Sequence, residues 1–148
     1  MQPYEVFAVR YAHHAERRAS DNFISADPHE AGSPLDFYVW VIRNRVRTVV
    51  VDTGFNAATA RRRSRKLIRS PIEGLKMLGV DADKVQDVVI THMHYDHAGN
   101  YDLFPAARFH LQDKEMQFAT GRCMCHAPMR HAFDADHVAG KVHKVFAG

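Results

Sequence analysis

Asp87-Val88-Val89-Ile90-Thr91-His92-Met93-His94-Tyr95-Asp96-His97-Ala98-Gly99-Asn100 joins a short β-branched run to a histidine-rich segment. The run predicts a strand over residues 87–91. Three imidazoles and one carboxylate then fall within the next six residues, directly beyond the strand end, where α/β proteins tend to place their chemistry. In an extended turn, His92 and His94 can face the same way and share one metal ion, while Asp96 and His97 project to a neighbouring position and can hold a second. Gly99 lets the backbone fold tightly behind them. Nitrogen and oxygen donors of this kind suit borderline-soft divalent cations, zinc first among them. The bland alternative for the same residues is a solvated loop, or histidines capping the next helix.

Outward from this segment, strands and helices interleave. Residues 4–11 alternate as a strand does, with Phe7, Val9 and Tyr11 on one face. Residues 12–35 are rich in His, Arg, Asp, Pro and Gly, with breakers at Asp27-Pro28 and Gly32-Ser33-Pro34, and predict a long irregular segment. Residues 36–43 and 46–51 read as two strands around an Asn44-Arg45 turn, the second running into Asp52-Thr53-Gly54. Ser70-Pro71-Ile72-Glu73 has the form of a capping box with Pro at the first helical position, so a helix is expected to Leu78 with Gly79 as its stop. A strand over 108–112 and helices over 114–119 and 136–146 complete an α/β pattern, without internal repeats or linkers.

At 148 residues the chain is of one-domain length, and its 46% hydrophobic content can bury a core. No apolar run approaches the roughly 20 residues of a membrane span. No secretory signal is visible at the start, and the only cysteines, Cys123 and Cys125, stand one residue apart, so the cytoplasm is the expected address. The formal charge of +3 is small and much of the basic excess sits in Arg61-Arg62-Arg63-Ser64-Arg65-Lys66, which reads as a solvated loop or helix face rather than a nucleic-acid surface. Cys123-Met124-Cys125-His126 has no matching second ligand pair and reads as a loop with free thiols.

The segment from Thr91 to Asn100 resembles the His-x-His-x-Asp-His signature of the metallo-β-lactamase superfamily, and Val51-Asp52-Thr53-Gly54 is similar to its upstream strand-end motif. The start Tyr4-Glu5-Val6, the stretch Pro34 to Trp40 and the turn Asp52 to Phe55 further resemble the N-acyl homoserine lactone lactonases. The resemblance implies an αββα sandwich, of which this chain holds the N-terminal half: a mixed sheet with flanking helices. It also implies two zinc ions, with His92 and His94 on one, Asp96 and His97 on the other, and Asp52 supporting them without ligating. His94, in place of the Glu of the diiron branch, implies hydrolysis rather than oxygen chemistry. The implied reaction is lactone opening by a metal-bridging hydroxide, with Asp96 as the catalytic proton shuttle.

The resemblance also implies a third His, a bridging Asp and a last His from a second half. None of His110, His126, His131, His137 and His143 lies in the Gly-His-Thr context of that third ligand, and they read as surface or helix histidines. Residues 1–148 are therefore expected to be a single, partial domain, catalytically incomplete alone, that self-associates or meets a second-half chain. The expected partner is a small-molecule lactone or ester. Other superfamily hydrolases (β-lactamase, thioesterase or nuclease) and a noncatalytic metal-binding module remain as alternatives.

Overall fold

The computed structural model describes residues 2–25, 27, 29, 30 and 32–147. Pro28, half of one expected breaker, lies outside them. The strands are β1 (Glu5–His14), β2 (Leu35–Arg43), β3 (Thr48–Val51), β4 (Lys66–Leu67), β5 (Asp87–Val89) and β6 (Arg108–His110). The helices are α1 (Ala57–Arg62), α2 (Pro71–Met77), α3 (Tyr95–Ala98), α4 (Asp113–Ala119), α5 (Ala127–Arg130) and α6 (Ala135–Ala147). One six-stranded mixed sheet runs in the order β4-β1-β2-β3-β5-β6. β1, β2 and β4 pair antiparallel, as do β2 and β3, while β3, β5 and β6 run parallel.

Local chemistry explains most boundaries. The Asn44 side chain accepts from the backbone N–H groups of Val46 and Arg47 and closes the hairpin between β2 and β3. Ser70 and Glu73 form the reciprocal cap of α2, with Pro71 at its start. β1 outlasts the expected residue 11 because a bulge between Arg10 and Ala12 resets its register and carries pairing with β2 to His14. Several elements escaped the sequence pattern, α1 and β4 among them. α1 is capped by Asn56, whose side chain accepts from Thr59 N–H, and β4 is only two residues long.

The alternation of the strands divides the sheet into two unlike faces. Phe7, Val9, Tyr11, Phe37, Val39, Val41, Val50 and Val88 pack under the helices with Leu75, Phe55 and Tyr95. The opposite face carries Val6, Ala8, Tyr38, Trp40 and Val51, with Ala8 paired to Trp40 and Trp40 to Val51. No helix among the described residues covers it: Val6 is 60% and Trp40 41% exposed. The C-terminal ends of β3 and β5 lie side by side, and the histidine-rich segment leaves from that edge.

Candidate metal centre

Two sequence motifs 39 residues apart are stitched together at this edge. The backbone N–H of Thr53 donates to His97 O (2.7 Å) and that of Gly99 to Gly54 O (2.8 Å). A side chain at Gly99 would place its Cβ 2.6 Å from Gly54 O, and one at Gly54, whose φ is +67°, would meet Pro71 and Tyr11 within 3 Å. Both glycines therefore permit the close approach. Asp52, 3% exposed, adopts φ +63°, a conformation uncommon for a residue with a side chain. Its carboxylate accepts from the backbone N–H of Thr91 (2.8 Å) and lies 2.9 Å from the Thr91 hydroxyl.

The same carboxylate receives His97 Nδ1 at 2.7 Å, while His97 Nε2 stands 3.3 Å from Asp96 Oδ2. Burial opposes protonation of His97, but its hydrogen bonds to Asp52 and Asp96 outweigh it and push the imidazole up to about 9. Burial also works against the Asp96 carboxylate, yet the His97 hydrogen bond and charge hold it below its ordinary value. The His92 ring lies 4.4 Å from that of His94 and 3.9 Å from that of His97. Burial, followed by a neighbouring imidazole, lowers His92 and His94, so both stay neutral with a lone pair to offer.

The intervening residues explain how adjacent side chains diverge. Met93 is fully buried and Tyr95 6% exposed, so both anchor inward while His92, His94, Asp96 and His97 turn toward the edge. Glu115 of α4 accepts from Met93 N–H at 2.7 Å and pins the segment from behind. Tyr95 packs 5.5 Å from Phe55, ring to ring. The turn is also less extended than expected, because residues 95–98 close into α3.

Several contributors were invisible in the sequence. Phe133 bridges to His94 through the backbone and sets its ring edge-on to the imidazole at 4.9 Å. The basic run is a solvated face only in part, with Arg61, Arg62 and Lys66 exposed. Arg62 and Arg63 pair with Asp134, Arg63 lies 3.9 Å over the Tyr95 ring, and Arg65 donates to the Tyr95 hydroxyl at 3.1 Å. Asp134 lies about seventy residues further along, too distant for local pattern to reveal. His126, His131 and His143 are exposed and His110 donates to Asp87, as surface histidines do. His137 is instead largely buried on α6, with 11% of its side chain exposed. Cys123 and Cys125 are free and exposed.

In kind, these donors fit a divalent metal: two neutral imidazoles side by side, and a carboxylate against an imidazole oriented by a second carboxylate. In number they form pairs. Among the described residues no group of three or more His, Cys, Asp and Glu side chains is placed to hold an ion, whereas catalytic zinc normally has three protein ligands.

Comparison with known proteins agrees with this construction. Solved structures of similar fold include a mutant of AiiA from B. thuringiensis with N-decanoyl-L-homoserine bound at the active site. It shares 17% identity over 82% of this chain and 54% of its own, with a TM-score of 0.64. A quorum-quenching N-acyl homoserine lactone hydrolase shares 18% identity over 82% and 50%, at 0.62. A probable metal-dependent hydrolase from Staphylococcus aureus shares 13% over 93% and 56%, at 0.64. The chain thus spans about half the length of the solved structures it matches. No curated protein matches it at a significant level. The family model described as the metallo-beta-lactamase superfamily matches residues 34–115, from the start of β2 past the histidine cluster into α4. That span is more than half of the sequence and contains both stitched motifs, so the chain belongs to the metallo-beta-lactamase superfamily.

Proposed function

We propose that this chain supplies one half of the active site of a metal-dependent hydrolase that opens lactone rings, with two zinc ions in the complete site. His92 and His94 would hold one ion, Asp96 and His97 the other, with Asp52 orienting His97 through Nδ1. When bound, the metals supply a nucleophile at neutral pH and polarise the carbonyl under attack. The protein's own part is positional. Asp52 fixes the tautomer of His97, leaving Nε2 to face Asp96. Asp96 takes the proton of the attacking water and returns it to the departing alkoxide. The observation that most supports this reading is the chain from Asp52 through His97 to Asp96, which a solvated loop would have no reason to build.

The nuclease alternative has fewer free cations than the basic run offered, because Arg62 and Arg63 pair with Asp134. We further propose that a second sheet layer, from the rest of a longer protein or another copy, covers the face around Trp40, and that the protein works in the cytoplasm, a reading its free thiols support. The test is elemental analysis for zinc, iron, manganese and cobalt on protein purified without chelator. This chain is expected to keep far less than one ion, and a longer protein two ions with lactone hydrolysis. Two ions held by this chain alone would overturn the half-site. A fully loaded longer protein that leaves lactones intact would overturn the substrate.

A further inference from the structure

Beside the metal centre lies a cluster rich in hydrogen-bond donors and poor in acceptors. Arg65, just before β4, is fixed on three sides: Nε donates to the Tyr95 hydroxyl (3.1 Å), and Nη1 donates to Arg63 O (2.7 Å) and meets His14 Nε2 (3.1 Å). Nη2 has no partner among the described residues, yet it is not shut away from solvent. Tyr95 spends its oxygen on accepting from Arg65, and no acceptor takes its own proton among the described residues. His14, at the end of β1, accepts through Nε2, so its proton sits on Nδ1, which is buried without a partner. Burial, then Arg65 and Arg17, keep this imidazole neutral, against a weaker opposing pull from Asp21 and Glu16.

A guanidinium that merely tied β4 to α3 would be satisfied by these three bonds. Here it is held rigid and its remaining donor edge is left outward, next to an unused hydroxyl proton. Pre-ordering of this kind lowers the entropic cost of taking up an acceptor. Tyr95 stands between His94 and Asp96 in sequence, so this donor edge and the metal ligands share one short segment of backbone. Arg63, over the Tyr95 ring, adds a second positive charge.

We infer that Arg65 and the Tyr95 hydroxyl form an oxyanion-recognition point on the rim of the metal centre, and that the substrate is a lactone or ester bearing a carboxylate away from the bond that is cleaved. This inference rests on the proposed hydrolase reading for its second half only. The anion point itself is tested without metal.

The first measurement is a calorimetric titration of the chain with sodium acetate against a sodium chloride control at equal ionic strength. Saturable binding of acetate is expected. One charge-assisted hydrogen bond contributes about 1.5–3 kcal/mol, so Arg65→Met should weaken it by about tenfold or more. Tyr95→Phe keeps the ring packing and removes only the proton, and it should weaken binding severalfold. Acetate binding that does not saturate, or that Arg65→Met and Tyr95→Phe leave unchanged, overturns the inference. In the metal-loaded longer protein, the ratio of kcat/KM for a carboxylate-bearing lactone over its neutral analogue should fall about tenfold in Arg65→Met. An unchanged ratio counts against the substrate assignment. Absence of turnover with either lactone overturns the hydrolase reading instead, while the acetate titration still decides the anion point.

Discussion

At the scale of single residues, Asp52 does the most with the least exposure. It is held in the left-handed region at the end of β3, and its carboxylate joins Thr91 to His97. Strain at such a position persists only where the surroundings over-determine it. Asp52→Asn keeps the shape and removes the charge that orients His97. Partners of this type typically change metal affinity by about 10–100-fold. Zinc titration against a competing chelator in the complete, longer protein is expected to show a loss of that size, with the circular dichroism spectrum preserved. Affinity equal to the wild type would mean that Asp52 serves the turn alone.

Among the elements, α6 is docked in an unusual way. Gly140 leaves room for Tyr101, whose hydroxyl would otherwise collide with a Cβ. Lys141, 4% exposed, lays its ammonium 3.9 Å over the Tyr101 ring and 4.2 Å over that of Phe109, with no hydrogen-bond partner among the described residues. Burial first, and Lys144 second, lower this amine from 10.5 to about 7. The two rings return part of that cost. Below about pH 7 both folded and unfolded chains hold the proton and the cost of burying it is complete; above 10.5 neither holds it. Between those values the unfolded chain binds the proton that the folded chain has released, so stability rises with pH. Urea denaturation from pH 7 to 10 should show this rise in the wild type and not in Lys141→Met. The variant should also gain about 1–3 kcal/mol at pH 7, because it removes an unpaired buried polar group and leaves an apolar chain against two rings. A parallel pH dependence in both proteins would place the charge elsewhere.

For the whole molecule, the asymmetry of the sheet dominates. One face is sealed by helices and the other presents Val6, Tyr38 and Trp40 to water. Contiguous apolar surface of this kind marks an interface. Gel filtration is expected to return a species larger than the 16.9 kDa chain. Trp40 is the sole tryptophan, so its fluorescence reports on this face directly. Acrylamide quenching should fall as protein concentration rises, and Trp40→Lys, which removes the tryptophan emission, should elute from gel filtration as a monomer. A wild-type monomer with concentration-independent quenching would show that the face stays open.

The sequence by itself determined the α/β class, the order of its main elements, the cap of α2 and the two motifs that meet at the sheet edge. Each of these is written in residues that are neighbours in the chain: alternation in β2, Ser70 with Glu73, and histidines spaced by a single residue. Only the tertiary structure decided that Met93 and Tyr95 anchor the loop, that Asp52 reaches His97, and that Arg63 and Arg65 of the basic run dock on Tyr95. Phe133 and Asp134 come to His94 and Arg63 from the far end of the chain. Such contacts depend on which surfaces the packed sheet brings together, and local periodicity carries no record of partners so distant in sequence.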